Sequence, residues 1–225
     1  MSELNIIECF QGSSEWFKAR LGFLGASRVA DALRQPKRKG VEELASRRNM
    51  RLELAIERIT GKPTEHFVSI WMESGIETEP LARAAYELRN SIETEQVGFV
   101  LHPSIQWAGC SPDGLVGADG LVEFKCPKLT THGQYLLDDC VPEEYIPQMM
   151  WQMACCPGRQ WNDFVSYCPE FPEPLNLFEF RLMRDDQLIA EMEAEAVKFL
   201  SEVETTEKKL RRFHENKPEL QRREL

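Results

Sequence analysis

The chain has 225 residues, 42% hydrophobic and 28% charged, with a formal net charge of −10. That length suffices for one substantial core, so a single domain over 1–225 is expected, and no apolar run is long enough to read as a membrane-spanning helix. An acidic sum excludes simple duplex binding by overall charge, although the distribution of charge matters more than its total.

Seven cysteines without any C-x-x-C spacing predict buried, reduced thiols, and a four-cysteine iron–sulfur pattern is missing. The N-terminal MSELNIIECF has neither a basic start nor an apolar h-region. A cytoplasmic protein is therefore expected.

In chain order, Ser13-Ser14-Glu15 opens a short helix to Arg20, Gly22 and Gly25 break it, and Ser27 can cap a second helix to about residue 33. PKRKG at 36–40 reads as a basic loop. A longer amphipathic helix over 41–60 stops at Gly61 and Pro63, and another over 79–89 carries Pro80 in its first turn. Segments 92–101, 106–110, 114–116 and 121–125 have strand character. Helices follow near 131–137 and 144–155, strands near 162–167 and 177–182, and a long helix over 185–214. The layout is a helical N-terminal part (about 1–90), a catalytic sheet with its helices (about 91–184) and a C-terminal helix (about 185–214). Arg34, Lys37, Arg38, Lys39, Arg47, Arg48 and Arg51 make the first third basic, while Glu191, Glu193, Glu195, Glu202, Glu204 and Glu207 crowd the last helix. An acidic exterior with a basic inner surface would fit this pattern.

The densest chemistry lies in CSPDGLVGADGLVEFKCP at 110–127. Leu121-Val122-Glu123-Phe124-Lys125 alternates as a strand does, so Glu123 and Lys125 share one face, two rises of about 3.3 Å apart. Gly114, Gly117 and Gly120 supply turns that let a strand carrying Asp113 fold back beside this one. Phosphodiester cleavage at neutral pH needs an activated water and stabilisation of developing negative charge, both supplied by hard divalent cations on carboxylates. Asp113, Glu123 and Lys125 form the ligand set of the metal-dependent nucleases written PD-(D/E)xK, with Lys125 orienting or deprotonating water.

Four separated blocks carry a wider likeness: Trp16-Phe17-Lys18-Ala19-Arg20-Leu21-Gly22 with Gly25-Ala26-Ser27; Gly75-Ile76-Glu77-Thr78-Glu79; Cys110-Ser111-Pro112-Asp113-Gly114 with Glu123-Phe124-Lys125-Cys126-Pro127; and Gln148-Met149-Met150-Trp151-Gln152-Met153. In their order and spacing the chain resembles the lambda exonuclease or YqaJ-type viral recombinase nucleases. The resemblance implies a restriction-endonuclease-like α/β core, a mixed central sheet flanked by helices.

It further implies that Asp113, Glu123 and Glu79, with the main-chain carbonyl of Phe124, ligate two Mg²⁺ ions, with Mn²⁺ a possible substitute. Lys125 would position the attacking water, and Arg20, Ser27 and Ser111 would grip a terminal 5′-phosphate. Gln148 fits the family's glutamine motif. The second glutamine, two positions on, is Met150 here, and Gln152 can stand in for it. Trp71 and Met72 lie where the family places an apolar strand-parting residue, though core packing is the better explanation of them.

The activity implied is a Mg²⁺-dependent 5′→3′ exonuclease on double-stranded DNA ends. It would work as a homotrimeric ring and leave a 3′ tail for the single-strand annealing protein of the same phage or prophage. The alternatives are a nicking or structure-specific endonuclease on the same core, and a catalytically silent DNA-end binding module. His66, His102, His132 and His214 lack metal-binding spacing and receive no role.

Overall fold

The computed structural model describes residues 4–34, 36, 40, 43–64 and 70–213, with 70–77 described by backbone alone. Lys37, Arg38, Lys39, His66 and His214, and the side chains of Trp71, Met72 and Gly75-Ile76-Glu77, lie outside the described residues.

The chain begins with β1 (Ile6–Ile7) and α1 (Ser14–Ala19), whose N-cap Ser13 accepts the Trp16 N–H at 3.2 Å. Then come β2 (Leu24–Gly25), α2 (Ala26–Leu33) and α3 (Ala45–Thr60), the last ended by Gly61 in the left-handed region at φ 61°. Next are α4 (Ile70–Asn90), β3 (Thr94–Glu95), β4 (Phe99–Leu101), β5 (Ala108–Cys110), β6 (Gly114–Val116) and β7 (Gly120–Lys125). The chain continues through α5 (Leu129–Asp138), α6 (Ile146–Cys155), β8 (Trp161–Tyr167), β9 (Leu177–Met183) and α7 (Asp186–Arg211).

The strands divide between a four-stranded sheet, order β1-β4-β5-β2, and a five-stranded sheet, order β3-β6-β7-β8-β9. The larger sheet is mixed: β7 and β8 run parallel, and its other neighbours antiparallel. One core joins α2, α3, α6 and α7 to the smaller sheet and includes Leu24, Trp151 and Phe199. A second, with Ala82, Tyr86, Val122, Phe124 and Val165, lies between α4 and the larger sheet. Burial on both faces makes β7 hydrophobic apart from its two charged residues.

Several local expectations give way to long-range pairing. The break expected around Gly25 is a strand, β2, held parallel to β5 through Leu24↔Ala108 and Gly25↔Gly109. Consequently Gly25, not Ser27, is the N-cap of α2, with no side-chain cap bond. The segment 92–101 splits into β3 and β4, which belong to different sheets. Between them, a Cβ on Gly98 would meet the Ile7 carbonyl at 2.3 Å, so only glycine admits this approach to the N-terminal segment. Pro80 lies inside α4 rather than in its first turn. The packing of α4 on β7, β8 and β9 outweighs the lost backbone donor.

The basic inner surface is not what Arg47 and Arg51 build. Arg47 is buried and donates to the Ala32 carbonyl at 2.9 Å, to Glu43 at 2.7 Å and to Glu202 on α7 at 2.6 and 3.0 Å. Arg51 pairs with Glu43 at 2.7 Å. Arg47 thus docks α3 on the acidic C-terminal helix, and Arg51 ties α3 to Glu43 just before it. All seven cysteines are free, with Cys110, Cys155, Cys156 and Cys168 buried. Among the described residues no helix is long and apolar enough to cross a membrane.

Candidate active site

The hairpin β6–β7 pairs Gly114↔Val122, Leu115↔Leu121 and Val116↔Gly120. Extending that ladder by one residue sets Asp113 beside Glu123, and Asp113 Oδ2 accepts the Phe124 N–H at 2.7 Å. Strand alternation does the rest. Val122 and Phe124 pack toward α4 with Ala82 and Tyr86, leaving Glu123 and Lys125 on the face covered by α6.

There Glu123 is 2% exposed, and both its oxygens are engaged. Gln148 Nε2 donates to Oε1 and Gln152 Nε2 to Oε2, each at 2.5 Å, and Lys125 Nζ also donates to Oε1. Asn162 on β8 donates to Gln152 Oε1 at 2.6 Å, which turns the Gln152 amide N–H toward Glu123. Residues four apart share a helix face, whereas a residue two along points away. Met150 accordingly lies in the core, and Gln148 and Gln152 together clasp the carboxylate. The Lys125 ammonium sits 5.0 Å from the Tyr145 ring centre.

Glu79, on α4, approaches from the other side, 3.6 Å from the Arg83 guanidinium. Burial raises the Asp113 carboxyl well above the usual carboxylate range, and the nearby Glu123 and Glu79 charges push it the same way. Glu79 is also raised, by burial and Glu123, with Arg83 pulling against them. Burial by itself would lower Lys125, but Glu123 and Asp113 outweigh it and hold the ammonium charged. Cys126, next in sequence, is pushed up to about 12 by burial, Glu79 and Asp113, which makes it a poor nucleophile. Among the described residues no three His, Cys, Asp or Glu side chains form a ready-made ion cage.

A second cluster adjoins the first through the short segment 111–113. The Arg20 guanidinium stacks 3.8 Å over the Trp16 ring, and Trp16 Nε1 donates to Ser111 Oγ at 2.8 Å. A Cβ on Gly25 would lie 3.8 Å from Arg20 Nη2, so the arginine reaches the start of α2, where Ser27 is an exposed first-turn residue. Arg20 borders a cavity of about 150 Å³ shared with Phe17, Gly25, Arg28 and Glu57. Burial, with Arg28 adding like-charge repulsion, draws Arg20 down to about 10. Gln11 pins the connecting segment by donating to the Pro112 carbonyl at 2.8 Å and the Val97 carbonyl at 2.9 Å.

Asp113, Glu123, Lys125, Gln148 and Gln152 are therefore one cluster with Glu79 beside it, and Arg20 and Ser111 form its neighbour. Sequence reasoning missed Arg83 and Asn162. Arg83 carries a weak signal in its i+4 spacing from Glu79, and Asn162 carries none. His102 and His132 are structural: His102 Nδ1 accepts the Ser104 and Ile105 N–H groups while Nε2 meets Glu193, and His132 bridges Ser166 and the Leu175 carbonyl.

Residues 15–159 match the YqaJ-like viral recombinase domain. The chain is similar to an alkaline exonuclease (LHK-Exo) from Laribacter hongkongensis, at 44% identity and a TM-score of 0.82, covering 90% of this chain and 98% of that one. The same figures hold for LHK-Exo in complex with dAMP. A phage-related exonuclease from Haemophilus somnus shares the fold at 13% identity, with a TM-score of 0.63 over 84% of this chain and 94% of that one. No curated protein matched. The fold is the restriction-endonuclease-like α/β core.

Proposed function

This chain belongs to the YqaJ-like viral recombinase family, and from that premise we propose that it is a Mg²⁺-dependent exonuclease that degrades the 5′-ended strand of linear double-stranded DNA. The observation that carries this reading is the convergence of Asp113, Glu123 and Lys125, with both glutamines of α6 on Glu123. The 3′ tail left behind suits an annealing protein of the same phage or prophage, and a homotrimeric ring would keep an acidic chain on its DNA.

The donor set suits hard cations. Among the described residues the cations beside these three carboxylates are Lys125 and Arg83, and the carboxylates' mutual repulsion helps to lift Asp113 and Glu79. Asp113, Glu123, Glu79 and the Phe124 carbonyl would hold two Mg²⁺ ions, or Mn²⁺ in their place. Such ions, when bound, acidify water and stabilise charge on the phosphate. The chain's own groups do the positioning. Gln148 and Gln152 fix the plane of the Glu123 carboxylate, Asn162 fixes Gln152, and the charged Lys125 orients water and offsets developing negative charge. Arg20 forks onto the terminal 5′-phosphate beside the hydroxyls of Ser27 and Ser111. Every cut regenerates a 5′-phosphate, so the same pocket receives each new end.

The test is digestion of a linear duplex labelled on each strand, with 5′-phosphate or 5′-hydroxyl ends, in Mg²⁺ or EDTA, beside a closed circle. Loss of the 5′-phosphorylated strand, only with Mg²⁺ and only on linear DNA, is expected. Cutting of the circle would make it an endonuclease, and end binding without cleavage would make it a loading module. Light scattering showing only monomer at working concentration would remove the ring.

A further inference from the structure

We infer that Arg83 is a positioning residue of the cleavage site, a single guanidinium that ties the helix bearing Glu79 to the turn bearing Asp113. The inference rests on the nuclease reading and assigns the means by which its carboxylates are brought into register. Glu79 stands on α4 and Asp113 on the turn before β6, elements with no backbone pairing between them. A common ion would require their oxygens to agree within fractions of an ångström, which the motif itself does not provide.

The Arg83 side chain is 14% exposed and makes its contacts in three directions. Nη2 donates to the Asp113 carbonyl at 2.7 Å, Nη1 donates to Thr94 Oγ1 at 2.6 Å, and Nη2 stands 3.6 Å from Glu79 Oε1. Its flat face lies 5.1 Å from the Phe124 ring centre. Thr94 is itself held: its hydroxyl donates to Glu87 Oε1 at 2.5 Å, and the same oxygen accepts the Thr94 N–H at 2.9 Å. With its proton committed to Glu87, the Thr94 oxygen presents lone pairs to Arg83. Arg83 and Glu87, one turn apart on α4, thus grip the β3 edge and set the helix against the hairpin.

Gly114 supplies an independent observation. A Cβ there would lie 3.2 Å from Arg83 Nη1, 3.1 Å from Thr94 Cβ and 2.9 Å from Val122 Cγ1. The glycine after Asp113 therefore leaves the space that the guanidinium and its anchor fill. Lysine cannot replace the fork, because one ammonium on a flexible stem does not reach two divergent acceptors while facing Glu79.

The experiment compares wild type with Arg83→Gln, Arg83→Lys and Thr94→Val on a 5′-phosphorylated linear duplex. It measures kcat, KM for ends, end binding in EDTA, thermal melting, and Mn²⁺ affinity by calorimetry without DNA. Both Arg83 variants should lose about 30- to 100-fold in kcat and bind Mn²⁺ about tenfold more weakly, with KM and end binding within twofold. Thr94→Val, which keeps the arginine but removes its anchor, should lose a smaller factor, about 3- to 10-fold. A kcat within threefold of wild type at temperatures where the variants are folded would overturn the proposal. So would full recovery in Arg83→Lys, which would leave charge alone as its role, or an unchanged Mn²⁺ affinity. A wild-type protein that cleaves nothing would sink the nuclease reading, while the Mn²⁺ titration would still decide on Arg83.

Discussion

Two buried carboxylates occupy adjacent strands of the five-stranded sheet, and their surroundings differ in kind. Asp163 on β8 pairs with Val122 and so faces α4, whereas Glu123 on β7 faces α6. Asp163 meets Arg181 through two bonds of 2.8 and 2.9 Å and accepts the Tyr86 hydroxyl at 2.8 Å. Burial and this carboxylate push the Tyr86 phenol well above its ordinary range, so it stays a donor. Arg181 stacks 3.5 Å over the Trp161 ring, which completes a closed, charge-balanced unit. Glu123 is as well supplied with donors, but Asp113 and Glu79 stand beside it and both titrate high. A buried carboxylate is thus no sign of chemistry by itself. An excess of like charge at one place is, because structure alone gives no reason to retain it.

The largest expected effect breaks the comparison at the Glu123 side. Asp113→Ala and Lys125→Ala should each reduce cleavage on the order of 10³-fold or more while keeping DNA-end binding, measured by single-turnover digestion and gel shift. Normal turnover in either would remove the cluster from the reaction. Asp163→Ala should do the reverse. It leaves the Tyr86 hydroxyl unpaired and Arg181 without its partner, at a cost of about 2–3 kcal/mol in urea unfolding, with unchanged kcat per folded molecule. Arg20→Ala touches neither Glu123 nor Asp163 and should shrink the preference for 5′-phosphate over 5′-hydroxyl ends by roughly tenfold with little change in stability.

The smallest effect concerns pH. The folded values of Asp113 and Glu79 lie above the unfolded ones. Their contribution to stability is therefore present below the ordinary carboxylate range, near pH 4, and is lost as pH rises through the raised values. Asp113→Asn removes one repelling charge, and its amide oxygen can still accept the Phe124 N–H. The melting temperature should rise by roughly 2–4 °C at pH 8 without divalent ions, and the gain should vanish near pH 4. A loss of stability at pH 8 would mean that the carboxylates are not in conflict.

How much of this was legible depended on the range of the interaction involved. The hairpin 114–116 with 121–125 and the shared face of Glu123 and Lys125 follow from alternation and glycine placement, which act over a few residues. The Gln148–Gln152 clasp was half legible: helical spacing makes the two neighbours and turns Met150 away, but that they close on Glu123 depends on how α6 lies across β7. The seat of Ser27 was misread because β2 is two residues long and exists only by pairing with β5, some 84 positions later.

What the amino-acid sequence determined by itself was the chemistry of the site: the carboxylates, the lysine, the arginine near a serine, and the turns between them, all short-range matters of residue type and period. Tertiary structure alone decided which charges are spent. Arg47, apparently a DNA-facing cation, is consumed by Glu202, and Arg83, an ordinary helix arginine by sequence, joins Glu79, Thr94 and Asp113. The reason is physical. A charge acts through the few ångströms around it, and which partners lie within that distance is set by packing between elements far apart in the chain.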